Sequence, residues 1–293
     1  MSREEEVARG LAEALGVPVP VLSFEGAGGG GSINQTATVE VAGARWFVKW
    51  NDRPLPAQFA AEAAGLAALR AAESGLVVPA PIAWSDAGPG RSFLALEHLP
   101  PGRRQAGFDE ALGRGLAALH RVSDARGFGF EGDGYCGATP QPNAWLGDWV
   151  EFYRERRLGH QLRLAAQRGA GAALLRAGER LCARLGELLG EPEPSALIHG
   201  DLWSGNLHTA PDGRPGLIDP AAYFGHREAE LGMMVLFGGL SERVFRAYDE
   251  ASPLQPGWRE RLDLYTLYHV LNHYNLFGGG YAAQAEQLMR PYL

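Results

Sequence analysis

The sequence predicts an α+β protein with two lobes: a small β-rich N-terminal lobe with one key helix, and a larger, mostly α-helical C-terminal lobe. Short segments rich in β-branched and aromatic residues, separated by glycine or proline turns, dominate residues 19–97. Only residues 58–66 within them have a helical pattern. Beyond Pro100-Pro101-Gly102 the apolar residues recur at helical spacing. We therefore expect the lobes to span residues 1–98 and 99–293.

The N-terminal lobe is predicted to begin with a helix at residues 2–15, which Gly16-Val17-Pro18 ends. Two strands then flank the loop 26–34, and a tight turn at 42–44 leads into the strand that carries Lys49. The loop contains the spacing G-x-G-x-x-G, but a dinucleotide-binding loop of that form opens a helix. A strand follows here, so we interpret the loop as a flap over nucleotide phosphates.

A further pair of strands lies between Pro79-Ala80-Pro81 and Pro100-Pro101-Gly102. An apolar strand that runs into a Pro-Gly stop is a candidate hinge between lobes. We expect backbone groups of Glu97 and Leu99 to bind the adenine edge there. The alternative is an ordinary edge strand that ends in a turn.

The C-terminal lobe is predicted from four segments with apolar residues at helical spacing, 112–120, 149–164, 172–189 and 259–277. An arginine-rich stretch, Arg154–Arg157, falls within the second segment. We interpret it mainly as a solvated helix face.

The composition limits the possible classes of function. The 293 residues include 27 basic and 34 acidic side chains, for a net charge of −7, and 46% are hydrophobic. A nucleic-acid-binding protein would normally show a basic face, so we expect no nucleic-acid partner. Cys136 and Cys182 lie far apart and indicate neither a disulfide framework nor a zinc site. The sequence shows no apolar leader or membrane-length segment, so we expect a cytoplasmic protein with no membrane partner.

One short segment carries the clearest chemistry. Residues 198–206 read Ile-His-Gly-Asp-Leu-Trp-Ser-Gly-Asn, and Leu217-Ile218-Asp219-Pro220 follows one hairpin later. Asp201, Asn206 and Asp219 have the order in which kinase-type enzymes supply a proton acceptor and two Mg²⁺ ligands. A glycine before the first Asp, and Ile-Asp-Pro around the last, favour a small-molecule kinase. Taken alone, each aspartate also fits a structural role in a turn.

A second indication is independent of the first. Of the 27 basic residues 26 are Arg and one is Lys, at position 49. Lys offers a compact point charge where Arg offers a wide planar fork, so the two are not interchangeable beside phosphate oxygens. Lys49 ends a predicted strand, as the phosphate-binding lysine of kinases does, and Glu62 in the following helix is available to pair with it. A surface lysine without a function is the alternative.

With these motifs the chain resembles the fructosamine kinase family, relatives of the aminoglycoside phosphotransferases within the protein-kinase-like fold. The resemblance runs nearly end to end and includes the glycine loop, the Lys49 strand and residues 199–206. Two further stretches are not shared by generic small-molecule kinases. These are Gly225–Leu231 with Phe237-Gly238-Gly239, and Leu271–Asn275 with Phe277-Gly278.

The resemblance implies ATP-dependent phosphorylation of the C3 hydroxyl of ketoamines, which sugars form with small amines or with protein lysines. This would be a deglycation-type repair activity. Asp201 is implied to be the base, with Mg²⁺ held by Asn206 and Asp219. Trp203 and His273 are implied to contact the ketoamine sugar. The residues implied to bind ATP are Gly29, Gly30, Gly31, Ser32, Asn34, Lys49, Glu62, Glu97 and Leu99.

Two other functions stay open at this point. An aminoglycoside or other amino-alcohol phosphotransferase is favoured if residues 226–231 and 271–277 do not form the acceptor pocket. A nucleotide-binding pseudokinase would typically lack at least one of the motif residues, all of which are present. The absence of G-x-x-x-x-G-K excludes a P-loop NTPase, and no serine lies in G-x-S-x-G, which argues against a serine hydrolase. Fructosamine, ribulosamine and erythrulosamine all remain candidate substrates.

Overall fold

A computed structural model describes residues 3–17, 24–25, 34–41, 43–51, 53–88 and 91–293 of the chain. It has the predicted α+β architecture. A five-stranded antiparallel sheet with two helices forms the N-terminal part, and helices with small two-stranded sheets form the rest.

The N-terminal part places Lys49 on its central strand. Its elements are helix α1 (Arg3–Leu15), strands β1 (Phe24–Glu25), β2 (Gln35–Val41) and β3 (Ala44–Trp50), helix α2 (Gln58–Ala71), and strands β4 (Pro81–Asp86) and β5 (Ser92–Glu97). The strand order is β1-β2-β3-β5-β4. Because side chains alternate along a strand, Val48 packs towards α1, whereas Phe47 and Lys49 face α2.

The C-terminal part is mostly helical, and its short hairpins carry the predicted catalytic segment. Its elements are α3 (Phe108–Leu119), β6 (Gly134–Cys136), β7 (Thr139–Gln141), α4 (Trp149–Phe152), a π-helical turn (Tyr153–Leu158), α5 (Gly159–Gln167), α6 (Ala172–Leu188), β8 (Ala196–Ile198), a 3₁₀ turn (Ser204–Asn206), β9 (Leu207–Thr209), β10 (Pro215–Leu217), β11 (Tyr223–Gly225), α7 (Arg227–Leu236), α8 (Glu242–Ala251), α9 (Trp258–Phe277), α10 (Tyr281–Met289) and a final 3₁₀ turn (Arg290–Tyr292). Strand β8 pairs with β11, and β9 pairs with β10. Asp201 follows β8, and Asp219 lies between β10 and β11.

The interpretation of Arg154–Arg157 as a solvated face is wrong for Arg157. Its side chain is fully buried, donates to the carbonyl oxygen of Pro142 and to Asn143 Oδ1, and lies 3.8 Å over the ring of Tyr223. The segment is a π-helical turn, which shifts the register of the side chains against the 3.6-residue pattern. The uniform spacing assumed from the sequence therefore misplaced this arginine.

One apolar cluster crosses the predicted lobe boundary. It joins Phe59 and Leu66 of α2 to Leu116 of α3 and to Leu217 of β10. Helix α2 thus packs against both parts of the chain, so packing fixes its position relative to the catalytic segment. The division at residue 98 stays a prediction.

Two expectations from composition concern cysteines and membranes. Cys136 and Cys182 are both free thiols. None of the helices within the described ranges combines the length and apolar character needed to cross a membrane.

Candidate active site

Ten of the predicted site residues line one cavity of about 1220 Å³. Those that line it are Asn34, Lys49, Glu62, Glu97, Leu99, Asp201, Trp203, Asn206, Asp219 and His273. The remaining predicted residues, Gly29, Gly30, Gly31 and Ser32, lie outside the described residues. Side chains that are up to 239 positions apart in sequence, from Asn34 to His273, therefore meet around one space.

Lys49 links the sheet, α2 and the segment after β10. Its Nζ lies 2.5 Å from Glu62 Oε1 and 2.6 Å from Asp219 Oδ1, and only 4% of its side chain is exposed. Burial alone would lower the pKa of Lys49, but the two carboxylates raise it above its usual value. The lysine is therefore a fixed cation at the cavity wall.

Helix α2 is held so that Glu62 reaches Lys49. The backbone N–H groups of Phe59 and Ala60 donate to the carboxylate of Asp86 at 3.1 and 2.9 Å. Asp86 ends β4, so a side chain of that strand accepts hydrogen bonds from N–H groups that have no partner within the first turn of α2. A Cβ added at Gly65 would lie 3.2 Å from the Cβ of Ala222. The glycine therefore lets α2 approach the segment that carries Asp219.

The segment after β8 forms a tight loop that presents Asp201. Gly200 has φ +81°, and a Cβ there would lie 2.2 Å from the carbonyl oxygen of Ala221, so only glycine fits. His199 is buried, and its Nε2 lies 2.8 Å from the carbonyl oxygen of Ile218 while its Nδ1 accepts from the Asp201 N–H. These bonds make His199 a brace between the two loop segments.

Asn206 ties Asp201 to Asp219. Its Nδ2 donates to the backbone oxygen of Asp201 at 2.8 Å, and lies 3.3 Å from Asp201 Oδ2 and 3.5 Å from the backbone oxygen of Asp219. The amide nitrogen is thereby engaged, which leaves the amide oxygen as the atom that Asn206 can offer to a ligand.

Asp219 has a strained backbone. Its φ of +55° is left-handed, a conformation that residues other than glycine adopt at a cost of about 1 kcal/mol or more. Burial opposes its ionisation, but Lys49 outweighs that effect and holds the pKa of Asp219 below its usual value. Lys49 donates to Oδ1, and Oδ2 accepts no hydrogen bond from the described residues.

Asp201 has the opposite electrostatic environment. Burial raises its pKa to about 8, and the nearby carboxylates of Glu230 and Asp219 add to the effect. A carboxylate whose pKa lies near neutrality is a better proton acceptor than an ordinary aspartate.

The structure also places the residues predicted for adenine and for the sugar. The Glu97 N–H donates to the carbonyl oxygen of Ala80 at 2.9 Å, so this N–H is engaged within the protein. Trp203 lies two residues beyond Asp201, and its ring meets Phe237 edge-on at 5.5 Å. His273 lies on α9, where its Nδ1 donates to the carbonyl oxygen of His269 at 2.7 Å.

Glu230 is a functional residue that sequence reasoning missed. It is fully buried on α7, and its carboxylate accepts the backbone N–H groups of His199 at 2.5 Å and Gly200 at 3.1 Å. The charge therefore fixes the loop that presents Asp201. Glu230 lies in the family-like stretch 225–231. The charged pattern Arg-Glu-Ala-Glu is typical of an exposed first turn of a helix, so the local sequence does not predict that Glu230 is buried.

His269 also lies beside the predicted base. Its Nδ1 is 4.0 Å from Asp201 Oδ1 and has no hydrogen-bond partner among the described residues. Burial lowers its pKa to about 3, with smaller effects from His273 and Arg157, so the imidazole is neutral. Cys136 Sγ lies within 4.8 Å of both groups.

The sequence is similar to a known family and to proteins within it. The family model described as fructosamine kinase matches residues 4–293. A probable ketoamine kinase of Synechocystis sp. is 39% identical over 290 residues, which cover 99% of this chain and 96% of that protein. The chloroplastic protein-ribulosamine 3-kinase of Oryza sativa subsp. indica is 42% identical over 267 residues, covering 90% of this chain and 77% of that protein.

Two solved structures are also similar to this chain. One from Thermobifida fusca YX-ER1, named "putative fructosamine-3-kinase", has a TM-score of 0.85 at 38% identity and covers 97% of both chains. Aminoglycoside phosphotransferase APH(4)-Ia, in a ternary complex with AMP-PNP and hygromycin B, has a TM-score of 0.67 at 17% identity, covering 98% of this chain and 97% of that chain. The second likeness concerns the fold alone, and together they confirm the predicted protein-kinase-like fold. The chain belongs to the fructosamine kinase family.

Proposed function

We propose that the protein is a ketosamine 3-kinase, which transfers the γ-phosphoryl group of ATP to the C3 hydroxyl of a ketoamine. The observation that carries this proposal is the arrangement of one lysine between two carboxylates. Lys49 contacts Glu62 at 2.5 Å and Asp219 at 2.6 Å, in the cavity that Asp201 also lines. Protein kinases use the same kind of lysine–glutamate pair to hold ATP phosphates.

In this proposal Asp201 is the proton acceptor. The O3–H bond breaks as its proton passes to the Asp201 carboxylate, the O3–Pγ bond forms, and the bond from Pγ to the bridging oxygen breaks to release ADP. The Glu230 carboxylate holds the backbone of residues 199 and 200, and thereby sets where the Asp201 side chain lies. Positioning of this kind supplies much of the catalysis in phosphoryl transfer.

The residues fit a Mg²⁺ ion at the end of the cavity that Lys49 occupies. Asp219 Oδ2 and the amide oxygen of Asn206 are hard oxygen donors, which Mg²⁺ prefers. When bound, the ion would neutralise charge on the phosphates. The left-handed backbone of Asp219 supports this role, because strained residues are retained where their exact direction matters for function.

The nucleotide is proposed to lie between the sheet and the helical part. The carbonyl of Glu97 and the N–H of Leu99 would face the adenine, and Asn34 would lie near the phosphates with the predicted residues 29–32. Asn34 Oδ1 accepts from Asn51 Nδ2 at 3.2 Å, which fixes its side chain at the cavity wall. This placement assumes the predicted lobes at residues 1–98 and 99–293.

The acceptor class rests on the relatives. Proteins named as ketoamine or ribulosamine kinases match this chain at 36–42% identity over 88–99% of its length, whereas the aminoglycoside phosphotransferase is 17% identical. We therefore favour a small or protein-bound ketoamine over an aminoglycoside. A pseudokinase is disfavoured because Lys49, Asp201, Asn206 and Asp219 meet in one cavity.

The test is ATP consumption with Mg²⁺ against ribulosyl-lysine, fructosyl-lysine and kanamycin in parallel, with Asp201→Asn as the blank. We expect turnover on at least one ketoamine and none on kanamycin. The product should show phosphorus–proton coupling at C3 by NMR. Turnover on kanamycin alone would overturn the acceptor class, and turnover without ATP or a product phosphorylated elsewhere would overturn the reaction.

A further inference from the structure

Two large apolar side chains stay exposed at the ends of two helices. Phe237 follows α7 and is 44% exposed, and Phe277 ends α9 and is 59% exposed. Both belong to the family-like stretches whose role the predicted chemistry did not use. Exposed apolar groups that meet at a cavity often mark a binding site.

The two phenylalanines meet around His273. The ring centroids of Phe237 and His273 are 5.2 Å apart, those of His273 and Phe277 are 5.7 Å apart, and Trp203 meets Phe237 at 5.5 Å. We call Trp203, Phe237, His273 and Phe277 the aromatic rim. All four line the cavity that contains Asp201.

The chain fixes the aromatic rim relative to the base. Helices α7 and α9 both end before a glycine in the left-handed region, Gly238 with φ +67° and Gly278 with φ +68°. A Cβ added at Gly239 would lie 3.2 Å from Ser204 Cβ. The loop after α7 therefore rests on the catalytic segment, and Phe237 is held beside it.

Two acidic side chains of the cavity have no basic partner among the described residues. The described lining includes six acidic residues: Glu62 and Asp219 contact Lys49, Glu97 contacts Arg70, Glu131 contacts Arg126, and Asp133 and Asp201 have no Lys or Arg partner among the described residues. His273 uses Nδ1 as a donor, so in the neutral imidazole Nε2 is an acceptor. Aromatic faces also attract cations.

We propose that the aromatic rim binds the amine arm of the ketoamine, meaning its secondary ammonium group and the carbon chain attached to it. This inference rests on the proposed function. Three bonds join C3 to that nitrogen, so a substrate with O3 at Asp201 keeps its nitrogen within the same cavity, which Trp203 and His273 also line. The ammonium lies against the aromatic faces and donates to His273 Nε2. The attached chain covers Phe237 and Phe277.

The aromatic rim thus contacts the amine, which differs from the sugar contacts that the resemblance implies for Trp203 and His273. A substrate with a long apolar or aromatic arm covers both phenylalanines, whereas one with a single methyl group cannot reach them. Lysine side chains have the required reach, since four methylene groups precede their nitrogen.

The experiment compares two ribulosyl adducts that differ only in the amine, benzylamine and methylamine. In Phe237→Ala and Phe277→Ala we expect kcat/KM to fall about tenfold for the benzylamine adduct and about twofold for the methylamine adduct. Phe277→Leu should lose less than Phe277→Ala because it keeps apolar area. Trp84→Ala is the matched control, since Trp84 is 49% exposed on β4 and lies outside the cavity lining.

The outcomes separate this inference from the proposed function. Equal losses on both adducts, or none, overturn the aromatic rim as an amine site while the kinase assignment stands. If the unaltered protein turns over neither adduct, the proposed function fails and calorimetric binding of the benzylamine adduct decides the rest. Binding that weakens in Phe277→Ala and not in Trp84→Ala supports an amine site, and binding that is absent or unchanged overturns it.

Discussion

The two aspartates of the cavity, 18 positions apart in sequence, face opposite electrostatic environments. Asp219 lies 2.6 Å from Lys49, which keeps its pKa below the usual value. Asp201 has no cation within such reach among the described residues, and burial with two neighbouring carboxylates raises its pKa to about 8. Pairs of carboxyl groups whose environments separate their pKa values commonly divide chemical roles between them.

In the proposed function, this difference distinguishes a phosphate end of the cavity from an acceptor end. At the phosphate end, charges are paired and held by α2 and the sheet. At the acceptor end, the backbone N–H groups of His199 and Gly200 donate to Glu230 in the loop that presents Asp201, and aromatic rings lie nearby. The phosphate end therefore suits a cation and a nucleotide, and the acceptor end suits proton transfer from a bound alcohol.

The largest expected effect is at the acceptor end. Asp201→Asn should lower kcat by about 10³-fold or more, because general-base catalysis is lost, while nucleotide affinity changes little. Steady-state kinetics and nucleotide titration check both parts. Asp212→Asn, at an exposed turn, is the control and should behave as the unaltered protein. A wild-type-like rate in Asp201→Asn would remove Asp201 from the base role.

A second variant tests the phosphate end. Lys49→Arg keeps the charge but not the compact shape, so it should not fit between Glu62 and Asp219. We expect kcat/KM to fall on the order of 100-fold. Arg45→Lys, an exposed position on the same strand, is the matched control. Kinetics within twofold of the unaltered protein in Lys49→Arg would show that only charge matters there.

A smaller effect is expected where α7 supports the catalytic loop. Glu230→Gln replaces one carboxylate oxygen with an NH₂ group, so one buried backbone N–H loses its hydrogen-bond acceptor. We expect turnover to fall about tenfold and the free energy of unfolding to fall by about 1–3 kcal/mol. The substitution also removes one charge that raises the pKa of Asp201. The acidic limb of the pH–rate profile should therefore move to lower pH. Glu242→Gln, exposed at the start of α8, is the control, and a shift to higher pH would contradict the account.

A further effect concerns stability without ligands. A carboxyl whose folded-state pKa is raised from 3.8 to about 8 contributes stability below the unfolded-state pKa and loses it as pH rises towards 8. The loss is at most about 1.4 kcal/mol per pH unit. In EDTA and without nucleotide, Asp201→Asn should melt above the unaltered protein at pH 8, and the gap should shrink at pH 5. A gap that grows on acidification would contradict the raised pKa.

The comparison also explains which residues the sequence could predict. Lys49, Asp201, Asn206 and Asp219 were identified because phosphoryl transfer requires those residue types in that order. Glu230, His269 and the convergence of Phe237 with Phe277 were not, because each depends on how α7 and α9 pack. Arg157 shows the same limit, since a π-helical turn moved it from the predicted surface into the core.

The most direct test of two distinct ends is nucleotide titration of Asp201→Asn and Asp219→Asn, with and without Mg²⁺, using AMP-PNP. We predict that Asp201→Asn binds the nucleotide like the unaltered protein, with the same gain on adding Mg²⁺. Asp219→Asn should lose most of that gain. Equal behaviour of the two variants, whether both keep or both lose the Mg²⁺-dependent gain, would contradict the division of roles between the two aspartates.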